Sequence, residues 1–141
     1  MTEDCIFCKI IQKKAEAVII YEDETFIAFL DHLPINDGHT LIVPKTHYKT
    51  LVDCPAETYG LLFNRAKKIG VKLIEHFDAD GLTVLQNNGE ASEQLVPHVH
   101  IHLVPRYLND HARERRRFRQ KSDSKRLKEI GNALKSLFKA N

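Results

Sequence analysis

Apolar and polar positions alternate with a period of two in several short stretches and with a helical period in two longer ones, and these rhythms predict the elements of the chain. Residues 17–22 and 25–30 are apolar, β-branched or aromatic, and Asp23-Glu24 between them marks a turn, so the two stretches predict a hairpin. His39–Val43 predicts a third strand stopped by Pro44, after a loop from Asp31 to Gly38 that is rich in turn formers. Leu61, Leu62, Ala66, Ile69, Leu73, Ile74 and Phe77 recur at helical spacing and form the stripe of a long amphipathic helix. Its start is signalled by Asp53-Cys54-Pro55, with Asp53 as the N-cap. Leu82–Asn87 predicts a fourth strand, and Cys5–Lys14 a short helical turn carrying Phe7, Ile10 and Ile11. Leu127, Ile130, Leu134, Leu137 and Phe138 mark a final amphipathic helix, with a cap in Ser122-Asp123-Ser124. Several strands around one major helix, without βαβ alternation, predict an α+β domain on an antiparallel sheet.

The fifth predicted strand, Pro97–Pro105, has an unusual pattern. His98, His100 and His102 alternate with Val99, Ile101 and Leu103. In an extended strand the three imidazoles share one face about 6.5–7 Å apart while the apolar side chains face a core. The polar face of a half-buried strand more often carries Thr, Lys or Glu. Three imidazoles in succession point to metal binding or to attack on an electrophile.

Cysteine usage sharpens the first of these. Of three cysteines, two form Cys5-Ile6-Phe7-Cys8, which argues against a secreted disulfide framework. A pair at this separation on a tight turn supplies half of a tetrahedral zinc site, with His47 and His98 as candidates to close it. A redox role would need a βαβ context that the pattern lacks. Cys54, just ahead of the long helix, reads as structural. For covalent chemistry the middle histidine is the better nucleophile, because an imidazole on each side can position a substrate.

The 141 residues suit one domain with its own core, and 43% hydrophobic with 28% charged residues describes a soluble protein. No apolar run is long enough to span a bilayer and the first residues are acidic, which places the chain in the cytoplasm. The net charge of +2 hides an asymmetry. Residues 109–141 carry eleven lysines and arginines against four acids, leaving residues 1–108 at −5. The chain therefore divides into a domain over 1–108 and a basic extension over 109–141, whose amphipathic helix packs on the domain or on a dimer. A nucleic-acid role for the extension is weighed and not favoured; a solvated helix with arginines near the mouth of the site, attracting anionic substrates, is the preferred account of the charge.

His-Val-His-Ile-His-Leu-Val, together with Cys-Ile-Phe-Cys-Lys-Ile-Ile, Tyr-Glu-Asp-Glu, Gly38-His39-Thr40-Leu41 and Pro44-Lys45-Thr46-His47, resembles the histidine triad (HIT) superfamily. The likeness is strongest to bacterial histidine triad nucleotide-binding proteins and diadenosine polyphosphate hydrolases, and runs in order through residues 5–107. It implies a homodimer whose sheets join edge to edge, acting at the α-phosphate of an AMP-containing purine nucleotide. By the resemblance, His100 attacks phosphorus to give a nucleotidyl-histidine intermediate, and His102 and His39 line the phosphate site. Asp31 meets ribose hydroxyls, Phe7, Ile10 and Phe29 border the base, and Asn87 and Gln94 lie beside the phosphates. Cys5, Cys8, His47 and His98 match the ligands of a structural zinc. Two positions depart from the family pattern: Glu93 stands for a glycine and Leu95 for a hydroxyl residue. A carboxylate there repels phosphate and leucine cannot hydrogen-bond, which predicts slow turnover or altered substrate choice and makes a nucleotide-binding regulatory protein the alternative.

Overall fold

The computed structural model describes residues 3–139; the last two residues of the expected extension lie outside the described residues. Strands β1 (Ile19–Glu22), β2 (Phe26–Leu30), β3 (Thr40–Pro44), β4 (Gly81–Leu85) and β5 (Ile101–Arg106) form one sheet in the order β1-β2-β3-β5-β4. Every neighbouring pair is antiparallel. Helices α1 (Ile6–Ile11), α2 (Ala56–Phe77), α3 (Ala112–Arg117) and α4 (Ser124–Lys139) complete the α+β architecture that the patterning predicts.

All residues of β2 and β3 are buried, and the pleat sends alternate side chains into two separate apolar clusters. Phe26, Ala28, Leu30, Ile42, Ile101 and Leu103 pack against Leu62, Ala66, Ile69 and Leu73 of α2. On the opposite face Ile27, Phe29, Leu41 and Val43 pack against Phe7, Cys8 and Ile10. His102 pairs across the ladder with Leu41, so the histidine row belongs to the face that α1 covers. The triad is therefore lidded by α1 and not laid open to solvent.

Three local expectations are corrected. β5 begins at Ile101, not Pro97: the His98 N–H donates to Val96 O at 2.8 Å and the Val99 N–H to Tyr48 O at 2.7 Å. Residues 97–100 thus run beside the loop after β3 instead of joining the ladder, yet the alternation survives, with Val99 fully buried beside Ile101 and Leu103. β4 ends at Leu85, not Asn87, and beyond it the Gln86 side-chain amide donates to Asn87 O and Asn88 Oδ1 within a local turn. Asp53 does not cap α2; Pro55 occupies the N-cap, and the Asp53 carboxylate accepts the Lys49 and Thr50 N–H groups at 2.9 Å each. Cys54 is buried in the α2 cluster, consistent with a structural role.

Gly38, before His39, is required twice over: φ is +87°, and a Cβ would lie 2.4 Å from the Phe77 ring. Helix α4 packs on β1 and α2 through Leu127, Ile130, Leu134, Leu137 and Phe138. Its Gly131 lets it approach Val18, whose Cγ1 would be 2.2 Å from an added Cβ.

Candidate active site

Cys5 is the N-cap of α1, its sulfur accepting the Cys8 N–H at 3.4 Å, so the turn that starts the helix brings both thiols to one point. His47 and His98 arrive from the loop after β3 and the approach to β5. Cys5 Sγ lies 3.4 Å from His98 Nδ1, Cys8 Sγ 3.3 Å from His47 Nδ1, and the two Nδ1 atoms are 3.1 Å apart. All four donor atoms lie within 4.8 Å of one another. A tetrahedral zinc with Zn–N of about 2.0–2.1 Å and Zn–S of about 2.3 Å separates its ligands by roughly 3.3–3.8 Å, so these donors fit the ion. His98 Nε2 faces Pro44 O at 2.8 Å and must carry the proton, which turns the Nδ1 lone pair to the sulfurs. Burial lowers His98 to about 4 and raises the Cys5 thiol, so a cation at their centre would remove an electrostatic penalty. Four protein donors around one point leave no open position, the arrangement of a structural site.

The other two triad histidines do different work. His100 Nδ1 donates to the His98 carbonyl at 2.7 Å, which leaves Nε2 with its lone pair free for attack. At His39 the Ile35 N–H donates to Nδ1 at 3.0 Å, so the ring proton sits on Nε2. That proton is donated to His102 Nδ1 at 2.9 Å and leaves His102 with a donor at Nε2. A nucleophilic nitrogen and a hydrogen-bond donor thus stand side by side on rings with centroids 4.9 Å apart. Burial pushes His39 down to about 4 and His102 to about 3, and lowers His100, so all three are neutral at pH 7.

Phe7 packs edge-on to His100, Phe29 and His98, with centroids 5.0, 5.4 and 5.9 Å away, so the expected base-bordering residues also hold the row in place. Ile10 and Phe29 are buried in the same cluster. Asp31 is buried beside His39, its carboxylate 3.5 Å from Nε2, and also accepts the Leu33 N–H. Asn87 is half-buried, and among the described residues its side chain makes no hydrogen bond. Gln94, expected beside the phosphates, is buried and bonded at both ends of its amide. Its Oε1 accepts the Gly89 N–H at 2.7 Å and its Nε2 donates to Lys49 O at 2.8 Å, so it braces the turn that precedes the triad.

A HIT domain profile matches residues 12–109. The chain belongs to the HIT family. An adenosine 5'-monophosphoramidase of Saccharomyces cerevisiae is 41% identical over 102 residues, covering 72% of this chain and 62% of the relative. An adenylylsulfatase of Arabidopsis thaliana is 36% identical over 110 residues, 78% of this chain and 56% of that one. Among solved structures, a zinc-bound histidine triad family protein from Mycobacterium smegmatis superposes with a TM-score of 0.85 at 37% identity, covering 98% of each chain.

The matched HIT segment excludes Cys5, Cys8 and the basic extension beyond Asn109, and the extension supplies residues that sequence reasoning did not place. Arg119 pairs with Asp31 and donates through Nε to Leu33 O at 2.6 Å. Arg115 bonds Ile35 O and Asn36, Arg126 pairs with Asp37, and Arg116 reaches Glu93 Oε2 at 3.5 Å. The run of arginines announced an anion-attracting segment; only the chain path shows which loops each one meets. Asp31, His39 and His102 also lie close enough to hold a metal, but Arg119 already sets a positive charge against that carboxylate.

Proposed function

We propose that this HIT protein cleaves or transfers nucleotidyl groups at the α-phosphate, by way of a nucleotidyl group carried on His100. The observation that supports this reading best is the tautomer of His100: Nδ1–H is held by the His98 carbonyl and Nε2 is left as a lone pair beside the His102 donor. Nε2 forms a bond to phosphorus as the bond to the leaving group breaks, and the leaving group departs with the electron pair and takes a proton from solvent, which is returned when the attacking water is deprotonated in the second step. Water then attacks the same phosphorus, the P–N bond breaks, and AMP leaves with the imidazole restored. His102 Nε2–H supports the developing charge on the phosphoryl oxygens, the kind of fixed donor that such transfer depends on. In this reading Phe7, Ile10 and Phe29 border a purine, Asp31 serves the ribose, and Asn87 lies beside the phosphates. The named activities of the yeast and Arabidopsis relatives support nucleotide hydrolysis.

Cys5, Cys8, His47 and His98 would hold a structural zinc, which would clamp the approach to β5 to the N-terminus and so orient His100 through the His98 carbonyl. The zinc-bound Mycobacterium relative supports this. We further infer a cytoplasmic homodimer joined at a sheet edge. β4 offers such an edge, with Val84 exposed. One experiment tests the chemistry: intact mass spectrometry after incubation with an adenylyl phosphoramidate. The expected result is a mass increase of one adenylyl group that His100→Ala abolishes; an adduct that persists in that variant defeats the assignment. The alternative, a nucleotide-binding regulatory protein with weak catalysis, is favoured by Glu93, and tight AMP binding without adduct or turnover would support it.

A further inference from the structure

Arg115 and Arg116 are consecutive, yet they reach different walls of the site. Arg115 is fastened to the loop of residues 31–37, and Arg116 to Glu93 in the turn that precedes the triad. The Ser122 N–H adds a bond to His32 O at 2.9 Å, and Arg119 a buried pair with Asp31. The extension therefore bridges the two loops that frame the histidines.

The contacts are of unequal strength. The Arg119 and Asp31 side chains are 19% and 8% exposed, so that pair is largely desolvated and costly to break. Arg116 and Glu93 are 49% and 77% exposed at 3.5 Å, and an ion pair of that kind contributes about 0–1 kcal/mol. Arg119 and Arg115 anchor the segment, and Arg116 can change partner. A polyphosphate chain offers Arg116 several charged acceptor oxygens in place of a single solvated carboxylate. Arg113, one turn earlier on the same face of α3, has no acidic partner among the described residues.

We propose that Arg116, assisted by Arg113, is the specificity-determining element for the leaving group, releasing Glu93 to bind the phosphates beyond the scissile bond and so selecting polyanionic leaving groups over small uncharged ones. This rests on the nucleotidyl-transfer reading above. It also gives Glu93 a role: without such a phosphate, the carboxylate holds the arginine in place; with one, the carboxylate is released to the solvent that already reaches its 77% exposed side chain.

The test compares two substrates that share the adenylyl group, diadenosine tetraphosphate and adenosine phosphoramidate. Replacing Arg116 and Arg113 by alanine should lower the ratio of their kcat/KM values by tenfold or more, and the same pair of lysines should recover part of it. The polyphosphate substrate should also lose its steeper dependence on ionic strength. An unchanged ratio overturns the proposal while leaving nucleotidyl transfer intact. If neither substrate turns over in the unaltered protein, it is the transfer reading that has failed, and binding decides the rest. A methylene analogue of diadenosine tetraphosphate should then bind more tightly than AMP, and the alanine variant should remove that preference; equal affinities overturn the role of Arg116. Arginine-dependent binding of a mixed-sequence single-stranded oligonucleotide, with no preference for the polyphosphate over AMP, would assign these residues to nucleic acid instead.

Discussion

Glu93 holds a left-handed backbone conformation at φ +68°, where a side chain costs up to about 1–2 kcal/mol and glycine nothing. Its carboxylate faces Arg116 of the extension from the turn that precedes the triad. Glu93→Gly relieves strain and charge together, and with Leu95→Ser restores a hydroxyl at an 81% exposed position. The double variant should turn over a phosphoramidate several-fold faster, with unfolding stability raised by up to about 1 kcal/mol; identical kinetics would show that neither residue limits the chemistry. The buried imidazoles make a second prediction at this scale. His39 is lowered to about 4 by burial, against about 6.5 in the unfolded chain, so the folded state binds fewer protons. Its share of stability is complete above pH 6.5 and is lost as pH falls, by about 2 kcal/mol at pH 5. Urea unfolding at pH 7 and pH 5 should therefore show a smaller difference for His39→Gln than for the unaltered protein, and equal differences would sink the assignment. That His98 clusters with Cys5, Cys8 and His47 was legible once the Cys-x-x-Cys pair and the resemblance were read together. The Arg119 pair with Asp31 was not, because nothing in local spacing shows where residues 88 positions apart will meet.

At the scale of elements, periodicity located the sheet and both amphipathic helices, since burial of one face imposes a period that composition displays directly. What it misjudged were ends. β5 starts late because residues 97–100 find partners in the loop after β3, and Asp53 resembles a cap while serving Lys49 and Thr50. Both errors come from polar groups whose partners are set by tertiary position. The docking of α4 was visible only as an apolar stripe, and its key residue is Gly131. In an exposed helix Gly→Ala would stabilise by about 1 kcal/mol. Here the added Cβ would sit 2.2 Å from Val18 Cγ1, on a stiff β-branched side chain. Gly131→Ala should destabilise by about 1–3 kcal/mol, and Val18→Ala in the same chain should recover part of the loss. A thermal melt showing stabilisation by Gly131→Ala would mean that α4 does not pack this closely.

Across the whole molecule, the cysteine and histidine cluster joins segments that are remote in sequence: Cys5 meets His98 across 93 residues and Cys8 meets His47 across 39. Such a closure stabilises chiefly when its ligands cannot be satisfied otherwise, and here Cys8 and His98 are almost completely buried. Removing a cation from this centre would leave the donors packed against one another, with the Cys5 thiol raised by burial and the His98 imidazole kept neutral. The sheet and α2 form a separate apolar cluster that does not depend on these four residues. Chelation should therefore lower the melting temperature by several degrees without abolishing the fold, and Cys5→Ser should do the same while ceasing to respond to chelator. Because His100 is held by the carbonyl of His98, the chelated protein should also form the adenylyl adduct more slowly at temperatures where it remains folded. Zinc content, circular dichroism and adduct formation measured on one sample distinguish the outcomes. A chelator that strips the metal and stops the adduct at once, with the melting temperature unmoved, would make the ion a participant in the chemistry and would refute a structural role.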